Sequence, residues 1–338
     1  MKVGMLRFKD VPGKLARTVA YICGHHDIEF FYFTPDDVDL TAFEINGQFL
    51  IKGEWVRKKT KFPDVIDNAP MRNRDKFLYS ILSEHSFLTT KRIGTKKEVF
   101  HKLEKNGRFK DVLIPYKLVE AEVDMQPMLD EYKSILLKPV SSNQGRNIYV
   151  VEQIESGFRV ITDSSTEKYS TEAFSTFFSQ NLYRRLYICQ PFIDSKTKEG
   201  HPFDVRIHTR KNSEGNWSSV KIYPRIGIGK SVTSNISQGG GTSPINPFLE
   251  AQFGEKWKEV KRNLNHLSKS FPKRFQSMYN YSLDGLGIDL GIDKSGKLWL
   301  FEVNTYAGST YFMAEASEAR VSYYKYCANL SSGKAYAP

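Results

Sequence analysis

The period of hydrophobic and polar positions changes along this chain and marks out three stretches. In residues 1–78, Val3–Phe8 reads as a short strand, Leu15–Gly24 has helical spacing, and Glu29–Phe33 is an aromatic-rich strand. Phe43–Trp55 reads as a hairpin turning at Asn46-Gly47, a dipeptide that accepts positive φ. Pro63–Asp67 reads as a strand running into a proline-bounded polar loop. Together these predict a small α/β unit.

The second stretch, 79–187, is led in by a helix over 74–85 whose apolar stripe is Phe77, Ile81 and Leu82. Short helices and strands then alternate, with strands expected at Leu113–Leu118, Ser134–Lys138, Ile148–Val151, Phe158–Thr162 and Tyr187–Gln190. In the third, 188–330, the pattern turns mainly antiparallel. Phe203–Arg210 and Trp217–Ile226 flank a polar loop, and a Gly/Ser/Asn-rich loop covers 229–244. A long amphipathic helical stretch fills 248–280, and Gly285–Ile292 and Leu298–Asn304 pair across a turn at Asp293–Gly296. No internal repeat is visible.

Composition narrows the function classes. The chain has 338 residues, 40% hydrophobic and 26% charged, which fits a multi-unit globular protein. No apolar run reaches the roughly 18 residues of a membrane span, and the opening MKVGMLRF turns polar at once, so a secretory signal is not expected. Cys23, Cys189 and Cys327 stand far apart, which argues against a disulfide framework or zinc site and for a reducing, cytoplasmic compartment. The net charge of +11 suits an anionic partner. Its densest cluster, Arg57-Lys58-Lys59 with Lys61, reads as a solvated face, so nucleic acid is not the expected partner. His25, His26, His201 and His208 lack ligand spacing.

Two nucleotide motifs are excluded. Gly227–Ser231 resembles the end of a P-loop, but Pro224 stands where its first glycine must be. Gly285-Leu286-Gly287 begins a dinucleotide fingerprint without its third glycine.

Four other features could carry chemistry. Asp289, Glu302 and Asn304 converge on one face if their strands are antiparallel neighbours, since strand side chains alternate. Two carboxylates and an amide oxygen suit Mg²⁺ bridging substrate phosphates, while the bland alternative is the polar face of a hairpin. Lys138 ends an apolar strand before the polar loop Ser141–Asn147, which holds Ser142 and Gly145, and whose N–H groups could cradle phosphate; an ordinary turn reads equally well. Arg74-Asp75-Lys76 opens a helix that Asp75 could cap and from which Lys76 could reach a phosphate; surface charge is the alternative. Asp204 and Arg206 share a strand face, with Arg225 on the neighbouring strand and Asn235 beyond, as an anion clamp or as a cross-strand salt bridge.

Taken in order, RDK, LLKP with SSNQG, ICQPF, FDVRIH, TSNISQGGG, GIDLG and FEVN resemble the ATP-grasp superfamily over about residues 70–310. Pro63–Asp67, Pro202–Arg206, Gly215–Trp217 and Ser234-Asn235 make the chain similar to the YheC/YheD-type, spore-coat-associated ATP-grasp family. The resemblance implies an N-terminal α/β domain, a lid subdomain and a C-terminal antiparallel α+β subdomain. It implies ATP and Mg²⁺ as cofactors, with Lys76, Lys138 and the Ser141–Asn147 lid on phosphates. Cys189, Gln190 and Phe192 would lie at the hinge beside adenine, and Asp289, Glu302 and Asn304 would hold the metal. Arg206, Arg225 and Asn235 would serve the transferring phosphoryl group and its acceptor. Many such proteins follow the metal-binding Asn with Pro-Gly; here Thr305-Tyr306-Ala307-Gly308 stands instead, in the loop that usually shapes the acceptor site.

The implied reaction is a carboxylate–amine ligation through an acylphosphate, on a small-molecule or peptide substrate carrying a carboxylate. A kinase, or a coat or cell-surface protein retaining the fold, are the other readings. A homodimer and spore association are further implications of the resemblance.

Overall fold

In the computed structural model, which describes residues 1–141, 147–183, 185–229, 232–234 and 239–331, the chain builds three sheets in succession. The first is built from β1 (Lys2–Leu6), α1 (Lys14–His25), β2 (Glu29–Phe33), β3 (Val38–Asp39), β4 (Glu44–Ile51), β5 (Glu54–Lys61), β6 (Val65–Asn68), α2 (Lys76–His85) and β7 (Phe87–Leu88). Strands β2, β1, β6 and β7 are parallel neighbours in that order. Strands β3, β4 and β5 add an antiparallel flank, with the Arg57–Lys61 charges on the edge strand β5, where charge discourages further pairing.

The β4–β5 hairpin turns six residues later than its strongest local signal. Ile51 pairs with Glu54, and Lys52 and Gly53 have φ of 49° and 90°. Asn46-Gly47 lies inside β4 instead. The ring of Phe31 occupies the space above Gly47, where a Cβ would meet it at 2.5 Å. Packing, not turn chemistry, claims this glycine. In α2, Phe77 is 70% exposed, and Tyr79 and Leu82 make the buried stripe.

After α3 (Lys96–Asn106) come β8 (Lys117–Val119), α4 (Gln126–Tyr132), β9 (Ser134–Pro139), β10 (Tyr149–Ile154), β11 (Gly157–Ile161), β12 (Thr166–Tyr169), α5 (Thr171–Asn181) and β13 (Tyr187–Pro191). Their antiparallel sheet runs β12-β11-β10-β9-β13-β8, and Phe174 and Phe178 of α5 pack on its apolar face. The third sheet, β16-β15-β14-β17-β18, uses β14 (Phe203–Lys211), β15 (Trp217–Ile226), β16 (Gly241–Thr242), β17 (Gly285–Ile292) and β18 (Leu298–Asn304). The helical stretch before β17 breaks at Gly254 into α6 (Ile245–Phe253) and α7 (Trp257–Gln276). Val260, Leu264, Phe271 and Phe275 of α7, at helical spacing, are buried against this sheet.

Two long-range returns modify a division at 78 and 187. Ile93, Val99, Leu103 and Phe109, from α3 and its flanks, belong to the core of the third sheet. The last helix, α8 (Met313–Ser331), leaves that sheet and packs on α1, placing Val321, Tyr323, Tyr324 and Cys327 in the N-terminal core. The return is locked by charge. Asp67, fully buried, accepts from Arg7 Nη2 and Arg320 Nη1 at 2.9 Å each, and from the Tyr324 hydroxyl. Burial alone would raise this carboxyl, but Arg7 and Arg320 outweigh it and hold it far below the usual range.

Candidate active site

A cleft of about 1540 Å³ opens between the three units, and parts of all three line it. Its floor is one face of the third sheet. Register puts Tyr223, Arg206, Asp289 and Glu302 side by side across β15, β14, β17 and β18. Two residues along, Arg225 pairs with Asp204 on one side of this row, and Asn304 lies opposite Gly287 on the other. The structure thus joins two sets that the sequence offered separately, Asp289 with Glu302 and Asn304, and Asp204 with Arg206 and Arg225, and all six line the cleft.

Their electrostatics divide. Asp289 receives Arg206 Nε and Nη2 at 2.6 Å and Arg225 Nη2 at 2.9 Å. Arg225 also forks onto Asp204 at 2.6 and 2.7 Å, and the Ser234 hydroxyl donates to Asp204. Burial would raise the Asp289 carboxyl, but the two guanidiniums hold it below the usual range. For Asp204, burial with Asp289 nearby outweighs Arg225, and the carboxyl moves up. This end of the row is a closed set of fork-shaped ion pairs.

Glu302 is less committed. It is about one-third exposed, with Lys96 Nζ 3.5 Å away. Between Asp289 and Leu290 the register with β18 shifts, so Phe301 has no cross-strand partner. The Phe301 ring covers Gly291, where a Cβ would meet it at 2.1 Å, and its carbonyl accepts from Lys138 Nζ at 3.1 Å. Lys138, at the end of β9, is 7% exposed and has no carboxylate within ion-pair distance among the described residues. Its ammonium sits 4.6 Å over the Phe100 ring. Burial, with Lys96 nearby, pushes Lys138 down to about 7 against the smaller pull of Glu302.

The residues expected at the hinge, Cys189, Gln190 and Phe192, separate by alternation. Gln190 and Phe192 line the cleft, and Gln190 Nε2 is buried with no hydrogen-bond partner among the described residues. Cys189 points the other way into the core of the second sheet, where burial lifts its thiol to about 12. Ser141 lines the cleft and is the last described residue before position 147. Ser142, Gly145 and Asn235 lie outside the described residues.

Lys76 is not brought in. It is exposed at the start of α2 and does not line the cleft. Asp75 bonds Arg72 Nε at 2.5 Å and makes no side-chain cap for α2. Besides Lys138, the cleft is lined by Lys96, the first residue of α3, and by Lys196, whose ammonium lies 5.8 Å from the Phe192 ring. For Lys96 only the helix start is legible in sequence: Thr95 and Glu98 form a capping box, with Glu98 Oε2 accepting from Thr95 N at 2.6 Å, ahead of an apolar-periodic helix. Arg72, Arg92, Phe8 and Tyr311 also line the cleft without a motif to mark them, as does Tyr306 of the Thr305–Gly308 loop.

The donor chemistry suits Mg²⁺. This ion is typically held through one or two carboxylates plus substrate phosphates, keeping several waters. Glu302 and Asn304 offer hard oxygens on one face. Asp289 stands beside Glu302 with its own oxygens on arginine. Among the described residues no three His, Cys, Asp or Glu side chains gather as a metal cluster. A further contact bridges two units: Asp163, in the β11–β12 turn, accepts from Val232 N and Thr233 N at 3.1 and 2.9 Å. No helix among the described residues is long and apolar enough to cross a membrane.

A model of the family described as YheC/D like ATP-grasp matches residues 85–330. Endospore coat-associated protein YheD of Bacillus subtilis (strain 168) is 24% identical over 307 residues, covering 83% of this chain and 65% of YheD. The chain thus spans less than two thirds of that relative. Endospore coat-associated protein YheC of the same organism is 21% identical over 311 residues, covering 88% of this chain and 85% of YheC. Among solved structures, the ADP complex of purK, N5-carboxyaminoimidazole ribonucleotide synthetase, is similar with a TM-score of 0.53 at 12% identity, over 92% of this chain and 71% of that one. At this identity the likeness is one of fold, and the fold is ATP-grasp.

Proposed function

The chain belongs to the YheC/D-like ATP-grasp family, and from that premise we propose that it is an ATP- and Mg²⁺-dependent carboxylate–amine ligase. The observation that carries this reading is Lys138. A buried ammonium with one carbonyl and one ring for company is costly unless an anion completes its surroundings. Lys96 lies close enough to press on it electrostatically, and Glu302, 3.5 Å from Lys96, is the carboxylate these two lysines share. Gln190 Nε2, a buried donor without a partner, supplies the complementary need at the other end, where a purine ring nitrogen would accept.

In this reading Lys96 and Lys138 neutralise the ATP phosphates, and Gln190 and Phe192 seat the base. Glu302 and Asn304 would hold Mg²⁺, which supplies charge neutralisation between the phosphates. The acceptor carboxylate attacks the γ-phosphorus, the bond to the bridging oxygen breaks, and ADP leaves with that electron pair. Arg206 and Arg225 would stabilise the charge that spreads over the transferring group, with Asp289 and Asp204 holding their guanidiniums in place. An amine then attacks the acyl carbon, phosphate departs, and the amine loses a proton to give the amide. Positioning and electrostatics supply the catalysis, so no covalent protein intermediate is required. Cytoplasmic location and spore association stay part of the proposal.

The test is ADP release with Mg·ATP across amino acids, peptides and cell-wall precursors. A ligase releases ADP and free phosphate in equal amounts, dependent on both acceptor and amine. Phosphate retained on the product points to a kinase. Nucleotide binding without acceptor-dependent ADP release would retire the catalytic reading.

A further inference from the structure

One wall of the cleft is left over by this assignment. A site for one small molecule commonly occupies roughly 300–1,000 Å³, and this cleft is about 1540 Å³, enough for a nucleotide and a second sizeable ligand. The spare wall belongs to the N-terminal unit. Phe8 follows β1, and Pro70 and Arg72 follow β6, so the carboxyl ends of two adjacent parallel strands open onto the cleft. Open parallel sheets bind ligands at that edge.

The wall is cationic and preorganised. The Arg72 guanidinium lies 3.6 Å over the Phe8 ring and is held by Asp75, which accepts from Nε at 2.5 Å and from Nη2 at 3.3 Å, so it positions the wall while Arg92 supplies the unmatched charge. Arg92 donates Nε to the carbonyl of Met71, the residue before Arg72, at 2.7 Å, which sets the two arginines on one short segment of wall. Arg92 is exposed and has no carboxylate partner among the described residues. Arg206 and Arg225 are paired with Asp289 and Asp204, and Arg72 with Asp75, so Arg92 is the cleft-lining arginine without a carboxylate partner among the described residues. Tyr306 and Tyr311, 42% and 58% exposed, also face the cleft and offer rings for an apolar spacer.

We propose that the acceptor carries a second oxyanion, carboxylate or phosphate, besides the carboxylate that is activated, and that Arg92 and Arg72 bind it against Phe8. The identity of the first carboxylate rests on the ligase reading; the oxyanion subsite does not need turnover. Planar guanidiniums bind such groups through paired hydrogen bonds, and stacking on Phe8 fixes one of them before binding.

The test is calorimetry on the full chain saturated with Mg·ADP, using three acids of similar length: butyrate, glutarate and 3-phosphonopropionate. Glutarate or 3-phosphonopropionate should bind about tenfold tighter than butyrate, the effect of roughly one charged hydrogen bond, and the tighter of the two names the carboxylate or phosphate source. In Arg92→Gln and Arg72→Gln the preference should disappear, with ADP affinity unchanged. Arg72→Lys should retain part of it, and Lys59→Gln all of it. Arg92 is exposed, so its variant reads the subsite even if Arg72→Gln fails to fold. Equal binding of all three acids, no binding by either dianion, or a preference surviving in both glutamine variants would overturn the subsite. ADP release is measured on the same panel. A dianion preference with no ADP release under any acceptor and amine retires the ligase reading and leaves the subsite. Equal turnover of mono- and dianions retains the ligase and removes the subsite.

Discussion

The two ends of the row across the third sheet solve the same electrostatic problem in opposite ways. At the β14–β15 end, Arg206 and Arg225 lock onto Asp289 and Asp204 with every fork occupied. At the β18 end, Lys138 and Lys96 meet one half-committed carboxylate, Glu302. A closed ion-pair set gives geometry, since removing any member strands the others in a buried site. An open cation pair gives affinity, since an incoming anion supplies what the fold withholds. The contrast assigns stability to the arginine end and nucleotide binding to the lysine end.

The largest expected effect breaks the arginine end. Asp289→Ala leaves two guanidiniums sharing Asp204 and should cost about 3–5 kcal/mol in urea unfolding. A loss below about 1 kcal/mol would show these pairs to be effectively solvated and would erase the contrast. Next, Glu302→Gln and Asn304→Ala should each lower ADP release on the order of 100-fold, with unfolding free energy within about 0.5 kcal/mol of the parent. Turnover near the parent's in both would remove them from the metal site.

Lys138→Met should weaken Mg·ADP binding about 10- to 100-fold, one charged hydrogen bond of about 1.5–3 kcal/mol. The same variant should be as stable as the parent or more so, because an uncompensated buried cation is gone. Lys59→Ala, on the edge strand, should change neither. Equal affinities in the two variants would contradict the assignment.

The Lys138 ammonium moves from 10.5 to about 7 on folding. Between those values the unfolded chain holds a proton that the native protein has released. Stability of the nucleotide-free protein should therefore rise with pH across that window, and be lowest below pH 7 where the charged form must be buried. Binding of phosphates restores the charge, so Mg·ADP binding at pH 8 should take up a proton, seen in calorimetry across buffers of different ionisation enthalpy. Lys138→Met should abolish both effects; a pH profile identical to the parent's would assign them elsewhere. The smallest effect is Asp163→Ala, which removes acceptors for two backbone N–H groups and should cost about 1 kcal/mol, with faster amide exchange at Val232 and Thr233. Unchanged exchange there would mean that this bridge adds nothing to the join between the second sheet and the arginine end.

What the sequence determined by itself was what depends on local period. Alternation placed Asp204 with Arg206 and Glu302 with Asn304 on shared faces, and the ordered motifs carried the fold. The same alternation, applied at 189 and 190, separates the buried thiol from the cleft-facing amide. The tertiary structure decided what depends on distant partners. Lys76 and Lys96 each begin an amphipathic helix, and only the packing of α3 under the third sheet brings Lys96 to the cleft. Asn46-Gly47 carries the stronger turn signal, yet Phe31 needs the space above that glycine, so the chain turns at Lys52-Gly53. Asp289 reads as a metal ligand in one dimension, and across 83 residues Arg206 takes both its oxygens. Ion-pair choice and space filling are set by which groups the folded chain brings within a few ångströms, and sequence period carries no record of that distance.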